Sequence, residues 1–464
     1  MSFEATRENI DLIQELISNG KDSEILTLIA DQHPADIAEI VNELKTDEGT
    51  YIFKIIDSEL NADVLIELEE DVREKILASY TPKEIAEDVI ENMESDDAAD
   101  VISELPDEKK QEVISHIEDE EQASDIIDLL TYEEGTAGAL MGTELIQVNA
   151  NWTVGVCIRE MRKQAEDLDN IYTIYVVDDK EVLMGRLSLK KLLFNSSSTR
   201  TTVKDIFKAE KLISVTPETP EEEVASIMEK YDLATIPVIS DLGVLLGRIT
   251  FDDVVDVIVE EAEKDYQMAS GLSEDVESRD SIWTLTRARL PWLLIGMAGG
   301  ILGASVIGAF DIKERPELAL FIPLIAAMGG NVGVQSAAIV VQGLANKSLR
   351  NEGIAQKLLK ELGVALLNGL ICGAVLLATS IILDFGTPLS LTVSISLIAV
   401  IIFAAIFGTF VPLVLDRYKI DPALATGPFV TTANDIFGLI IYFIIGQALL
   451  GDEISSIAML IPLW

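Results

Sequence analysis

Asp421-Pro-Ala-Leu-Ala-Thr-Gly427-Pro428-Phe-Val-Thr431-Thr432-Ala-Asn434-Asp435-Ile-Phe-Gly438 opens the last long apolar run of this chain, Ala423–Leu450. The run is long enough to cross the ~30 Å hydrocarbon core of a bilayer as a helix. Asp435 is expected about halfway along it, as the only acidic residue well inside an apolar stretch. A charge at that depth is costly unless it faces water or a partner, so its default meaning is functional. Thr431 lies one turn earlier on the same face. Gly427-Pro428 is expected to bend the helix and free a backbone carbonyl, and carbonyls suit hard cations.

Four more apolar stretches precede this one, roughly Leu290–Phe310, Leu318–Leu344, Leu358–Leu383 and Leu389–Leu415. The second contains Met328-Gly-Gly-Asn331-Val-Gly-Val-Gln335-Ser336. Its glycines allow close helix approach. Asn331 and Gln335 share one helical face as polar lining, and buried amides need partners. Basic residues near span ends set the orientation. Arg287, Arg289, Lys347, Arg350, Lys357, Lys360, Arg417 and Lys419 fall on one side, against Lys313 and Arg315 on the other. The first side is therefore cytosolic, and Trp464 ends outside a multi-pass cell (inner) membrane protein.

Residues 1–280 differ sharply, with 68 Asp and Glu against 24 Lys and Arg, where residues 281–464 have 11 against 10. So much uncompensated charge repels itself, and divalent cations relieve it best per ion bound. The sign argues against nucleic acid as a partner. Met1–Asn9 is polar and charged, without the pattern of a secretory signal, so the acidic half is expected in the cytosol. Cys157 and Cys372 stand alone, and His33 and His116 have no Cys or His partner nearby, which argues against zinc.

Residues 1–135 read as an all-α acidic domain. Ile37, Ile40, Val41 and Leu44 show helical spacing, and units beginning Pro34-Ala-Asp-Ile, Pro82-Lys-Glu-Ile and Asp97-Ala-Ala-Asp recur. Imperfect helical repeats of this kind stack into a small superhelix. In Glu94-Ser-Asp96-Asp97-Ala-Ala-Asp100, the carboxylates of Asp96 and Asp100 are four residues apart on one face. Like charges at that spacing destabilise a bare helix, and a bound hard cation would reverse the effect.

Residues 136–253 contain a longer repeat. Tyr175-Val-Val-Asp…Gly185-Arg-Leu-Ser188-Leu-Lys-Lys191 matches Ile236-Pro-Val-Ile…Gly247-Arg-Ile-Thr250-Phe-Asp-Asp253 at an offset of 62 residues. Strand, turn, strand, Gly-x-x-Ser/Thr and helix, repeated once, resembles a tandem cystathionine-β-synthase (CBS) pair, an α+β domain. That resemblance implies possible adenine-nucleotide binding, ATP included, through Ser188 and Thr250 with Tyr172 and Lys190. Lys191 stands where an Asp would meet the ribose. Residues 254–280 form a connector, and Phe251–Gly271 reads as one acidic helix with Val254, Val255, Ile258, Val259 and Ala262 as its apolar face. Residues 281–464 complete the chain with the five-span membrane domain.

In this order of parts, and in Gly-Gly-Asn331-Val-Gly-x-Gln335-Ser336 and Gly427-Pro428…Asp435-x-x-Gly438, the chain resembles the MgtE family of magnesium channels over essentially its whole length. The resemblance implies a homodimer in the lipid bilayer with its pore on the dimer axis. It places Asp435 against hydrated Mg²⁺, with Thr431, Ala327 and Asn331 nearby and Asp421 at the cytosolic mouth. It makes the connector a plug helix. It puts regulatory Mg²⁺ at Asp96, Asp100, Asp253, Asp256, Glu261 and Asp265, with Lys264 and Gly427 as departures from the family pattern.

The expected function is Mg²⁺ uptake, shut by cytosolic Mg²⁺ bound where the acidic parts meet. Mg²⁺ parts reluctantly with its water shell, so one carboxylate per subunit attracts the ion without trapping it. The alternative is a carrier of Mg²⁺ or another divalent such as Mn²⁺ or Co²⁺, including one coupled to Na⁺. No nucleophile–base pair or phosphate-binding loop marks an enzyme.

Overall fold

Short helices with strong start signals build the N-terminal part of the computed structural model. They are α1 (Arg7–Ser18), α2 (Asp22–Ile29), α3 (Pro34–Glu43), α4 (Thr46–Phe53), α5 (Ser58–Ile66), α6 (Glu70–Leu77), α7 (Pro82–Asp88), α8 (Ser95–Ser103), α9 (Asp107–Ile114) and α10 (Glu120–Leu129). Pro34 and Pro82 occupy the first helical position, where a missing N–H costs nothing. Thr81 and Glu84 form a reciprocal capping box, at 2.8 and 3.3 Å. His33 caps α3 by accepting from the Ala35 amide. The structure describes all residues except 1–4, 166–167, 169, 196–200, 210, 274–275, 277–279, 311–315, 346–352, 426 and 451–464. Lys313, Arg315, Lys347, Arg350 and Trp464, which entered the orientation argument, lie outside the described residues.

Two strand–helix repeats follow: β1 (Ile146–Asn149), α11 (Val154–Gln164), β2 (Ile174–Val177), β3 (Leu183–Leu187), α12 (Leu189–Asn195), α13 (Val203–Ile206), β4 (Lys208–Ala209), α14 (Glu221–Tyr231), β5 (Thr235–Ile239) and β6 (Leu245–Thr250). The 62-residue offset extends to the register. Val176 pairs with Gly185 and Val238 with Gly247, and a shift follows each at the next residue. The repeats meet through their turns, with Leu183 N donating to Gly243 O and Leu245 N to Glu181 O. Arg186 on β3 pairs with Lys208, whereas its counterpart Arg248 on β6 pairs with Gly142, just before the first strand. The chain leaving the helical part thus completes the second repeat before it builds the first. The core of the helical part, including Ile37, Ile85 and Ile102, continues without a break into Val224, Ile236 and Ile249. The first repeat has its own core around Val148, Cys157 and Val176.

Helix α15 (Phe251–Ala269) follows β6, and the boundary between two compact units, Met1–Val259 and Glu260–Trp464, falls inside it. Its apolar residues divide differently from the sequence reading. Val254 and Val257 are buried, while Val255, Ile258 and Val259 are 38–49% exposed. The packed face is the one that meets the second-repeat core, to which Val254 belongs.

Among the described residues of the second unit, five helices are long and apolar enough to cross a membrane. They are α16 (Ile282–Ala309), α17 (Ile322–Ala345), α18 (Ile354–Ile382), α19 (Thr387–Arg417) and α20 (Pro428–Leu450). Helix α19 is central and packs on α17, α18 and α20. Its buried hydroxyls at Ser390, Thr392, Ser394 and Ser396 each donate to the carbonyl four residues back, at 2.7–2.9 Å. That satisfies them where no water is available. Pro428 starts α20 rather than bending it, because a 3₁₀ turn, Pro422–Ala425, precedes the helix. Asp435 is consequently the eighth of 23 residues, a third of the way along rather than halfway.

Candidate ion-binding sites

In the first unit, carboxylates from three segments converge. Glu94 precedes α8, and Asp96 and Asp97 lie in its first turn. Glu144 lies on the segment approaching β1, and Asp253 is in the first turn of α15. Ligand oxygens of Glu94, Asp96 and Glu144 lie within 4.8 Å of one another. Ser95 anchors the meeting, its amide donating to Glu144 Oε1 at 2.9 Å and its hydroxyl to Oε2 at 3.0 Å. The Thr143 amide donates to Ser95 Oγ at 3.0 Å, and the Thr143 hydroxyl to Asp125 at 3.0 Å.

The electrostatic cost is clear. Burial first, then the charges of Asp97, Asp253, Glu144 and Glu94, hold the Asp96 carboxyl well above its usual range. Burial and then Asp253, Asp100 and Glu94 push Asp97 up to about 7. Burial also raises Asp253, although the amide and hydroxyl of Thr250, which donate to it, oppose that. Asp256 is raised by burial and by Asp253. Such a group of hard oxygen donors suits Mg²⁺ or Ca²⁺ and poorly suits softer metals.

Of the expected regulatory residues, Asp96 and Asp253 belong to this group. Asp100 is exposed one turn along α8 from Asp96 and acts on the group through its charge on Asp97. Glu261 and Asp265 lie on α15 in the second unit, where Glu261 accepts from Lys264 at 2.8 Å. Glu144 escaped the sequence reading altogether. The signal was the Gly142-Thr-Glu144 turn leading to the first strand, but only the Gly142–Arg248 pairing places it here.

Of the expected nucleotide residues, Tyr172 and Thr250 both lie beside Asp253, whereas Ser188 and Lys190 follow β3 of the first repeat. Tyr172 lies under the Arg248 guanidinium, 5.4 Å from its ring centroid. Ser188 and Lys190 are exposed, and Thr250 is held by Asp253. A cavity between the repeats is instead lined by Thr173, Tyr175, Arg186, Lys211, Thr235 and Pro237, among others. Thr173 and Thr235 are 62 residues apart, and their hydroxyls are 3.3 Å apart.

In the second unit, Gly330 on α17 lets α20 approach. A Cβ there would lie 3.0 Å from Thr431 Cγ2 and 3.6 Å from Asp435 Oδ1. Asp435, Thr431 and the start of the Asn331 turn are therefore neighbours. Ala327, Asn331 and Gln335 form an exposed face of α17. The two amides share the face expected of them as polar lining, and the face of α17 that packs within the chain is the glycine one. The Gly427 carbonyl is not left open either, since Thr431 donates to it from N at 3.1 Å and Oγ1 at 2.9 Å. Asp421 accepts from the Ala423 amide at 2.7 Å and caps the 3₁₀ turn.

Asp435 is not alone at its depth. Glu361 is also the eighth residue of its helix, and the buried Ser336 hydroxyl donates to it at 2.6 Å. Asn434 is fully buried, with neither side-chain polar atom hydrogen-bonded. Both escaped the sequence reading, Glu361 because it sits near the basic end of its span.

A helical acidic part, a CBS pair and five helices long and apolar enough to span define a multi-pass membrane protein with an acidic N-terminal appendage. Comparison with known proteins narrows this. An MgtE divalent cation transporter domain matches residues 322–445, an MgtE intracellular N domain matches 32–135, and CBS domains match 137–198 and 203–260. The magnesium transporter MgtE of Thermus thermophilus is 37% identical over 70% of this chain and 73% of its own. That of Bacillus subtilis is 32% identical over 69% and 71%. A crystal structure of the cytosolic domain of the Mg²⁺ channel MgtE in complex with ATP is 31% identical, covers 53% of this chain and 99% of that one, and has a TM-score of 0.49. The chain belongs to the MgtE family of magnesium transporters. The relatives it matches over about 70% of its length are named magnesium transporters.

Proposed function

We propose that this chain is a Mg²⁺ uptake channel that cytosolic Mg²⁺ closes. The crowding of Asp96, Asp97, Glu94, Glu144 and Asp253 carries the reading, because a bound divalent ion is what turns that repulsion into attraction. The permeant ion would meet Asp435 beside Gly330, with the exposed Ala327–Asn331 face and Thr431 as lining. The donors fit a hydrated ion, since a single carboxylate per chain attracts without caging it.

A second copy of the chain supports this arrangement. Phe251, Val255, Ile258 and Val259 form an exposed apolar stripe at helical spacing on α15, 38–50% exposed. A homodimer would cover it and supply the second Asp435.

The energetics favour many weak sites. Moving a two-state gate from 1:99 to 99:1 takes about 5.5 kcal/mol. A site filled at ten times its dissociation constant in the closed state alone supplies about 1.4 kcal/mol. Roughly four such sites close the gate, which suits acids spread from Asp96 to Asp265.

Adenine nucleotide fits the cavity between the repeats better than the residues read from the sequence. Tyr175 offers a ring, Thr173 and Thr235 hydroxyls, and Arg186 and Lys211 positive charge for phosphates.

Planar-bilayer recording of the purified protein tests the main reading. Unitary Mg²⁺ current steps that fall as Mg²⁺ rises on the acidic-domain face are expected. Uptake into vesicles without current steps would make the protein a carrier, and competition by Mn²⁺ or Co²⁺ reads its selectivity.

A further inference from the structure

The chain has 79 acidic residues against 34 basic ones, so a basic side chain is expected to find an acid. In the first unit Lys21, Lys45, Lys75 and Lys83 each pair with one three or four residues away. Four cations of the second unit do not. Lys357 and Lys360 lie in the first two turns of α18, and Arg417 and Lys419 lie at the end of α19. Among the described residues, no hydrogen bond or ion pair reaches any of these four side chains. The acids nearest in sequence are otherwise placed. Glu361 accepts from the buried Ser336 hydroxyl, Asp421 caps the 3₁₀ turn, and Asp416 is exposed beside Arg417.

Local structure does not account for the four. The start of α18 is the positive end of its dipole, where acids are favoured and lysine is not, and its first turn holds no acid. Lys419 has φ +58°, a left-handed conformation that glycine adopts freely and lysine only at a conformational cost.

The two helices run antiparallel. Gly369 faces Ile398, and Gly373, one turn on, faces Ile398 and the Ser394 carbonyl, one turn back. The end of α19 therefore lies at the start of α18. By helix rise Arg417 is on the order of 10 Å beyond Lys357. Lysine stems lean towards the start of their helix and shorten that gap. Beyond Lys357 and Lys360, the same face of α18 continues as Val364, Leu367, Ile371 and Val375, 46–62% exposed. Tyr418, 73% exposed, stands among the cations, as aromatic residues do at headgroup level.

We propose that α18 and α19 hold an anionic phospholipid at this end of the membrane domain. Its phosphate lies among Lys357, Lys360, Arg417 and Lys419, and an acyl chain follows the apolar strip of α18. A zwitterionic lipid would bring its own ammonium group among four cations, so net negative charge selects the occupant. The site is separate from the acidic cluster and from Asp435.

Native mass spectrometry of the full-length protein, titrated in detergent with phosphatidylglycerol or phosphatidylcholine, tests this. Wild type should retain phosphatidylglycerol and release phosphatidylcholine. The double variant Lys357→Gln, Arg417→Gln should bind phosphatidylglycerol about fivefold more weakly for each cation removed, and so should Lys360→Gln, Lys419→Gln. Because none of the four has a partner within the chain, both doubles should melt at the wild-type temperature without lipid. Arg287→Gln with Arg289→Gln, at the start of α16, should keep wild-type affinity.

Equal retention of the two lipids by wild type would overturn the proposal. So would wild-type affinity in either double variant. An equal loss in the Arg287, Arg289 variant would reduce the site to a general attraction of one membrane face for anions. Inorganic phosphate that displaces the lipid at matching concentrations would make this a site for soluble anions, and the lipid assignment would fall.

Discussion

The carbonyl oxygen of Ala269 stands 2.3 Å from where a Cβ on Gly427 would lie. Gly427 is in the left-handed region, at φ +57°, immediately before α20. On the other side of the contact, a Cβ on Gly271, at φ +83°, would lie 2.6 Å from Pro428 Cγ. The end of the acidic helix α15 and the entrance to the Asp435 helix therefore interlock through two glycines, and neither leaves room for a side chain. A gain or loss of one methyl group is felt directly at such a contact.

Gly427→Ala should push the end of α15 away from the start of α20. If this contact closes the mouth, the variant will keep conducting at cytosolic Mg²⁺ levels that silence wild type. Flux into Mg²⁺-loaded vesicles measures this. Silencing at the wild-type Mg²⁺ concentration would remove the contact from the gate.

The five spans and the repeat were legible in the sequence because each rests on a local pattern: uninterrupted apolar length, and a 62-residue echo that extends to the paired strands. The acidic site was legible only in part. Asp96 and Asp253 announced themselves within dense acidic runs, whereas Glu144 is a lone acid carried into place by the Gly142–Arg248 pairing between segments far apart in sequence. The same limit explains the amides of α17. Spacing put Asn331 and Gln335 on one face, but the glycines, through Gly330 and Gly333, chose the opposite face for packing. Glu361 shows the converse, since a boundary drawn a few residues late hid its depth.

Protonation should compete with Mg²⁺ at the cluster. Asp96 and Asp97 have raised values in the folded unit, Asp97 at about 7, against an ordinary 3.8. The folded form therefore binds more protons, and its stability falls as pH rises from about 4 through about 7. Without Mg²⁺, the melting temperature of the helical–CBS part should decline across that window. With saturating Mg²⁺ the decline should flatten, because the ion replaces the protons. A melting temperature that rises with pH over the same range, Mg²⁺ absent, would contradict the assignment.

Asp435→Ala should abolish Mg²⁺ uptake while the protein still extracts and melts as a folded membrane protein. Gly330→Val should give a milder version. Its side chain would crowd Thr431 and approach Asp435 Oδ1, lowering uptake roughly tenfold, equivalent to about 1.4 kcal/mol. Vesicle uptake of both variants, normalised to folded protein, decides it. Full uptake by Asp435→Ala would place the ion path elsewhere.

Gly333 separates packing from conduction. A Cβ there would come within 1.8 Å of Asn434 Nδ2 and 2.9 Å of Val430 Cγ1, and its carbonyl oxygen already lies 2.3 Å from a Cβ position on Gly408. Three helices, α17, α19 and α20, thus cross at one glycine, and Asn434 is buried there with neither polar atom bonded. Gly333→Ala must displace the buried Asn434 side chain and press on Val430 of α20, at a cost of about 1–3 kcal/mol for overpacking. Its melting temperature in detergent should drop accordingly. Because Asn434 directly precedes Asp435, the displaced helix should also misplace that carboxylate, so uptake per folded molecule should fall with stability. A variant that loses stability but transports normally would show that the crossing holds the bundle together without setting the position of Asp435.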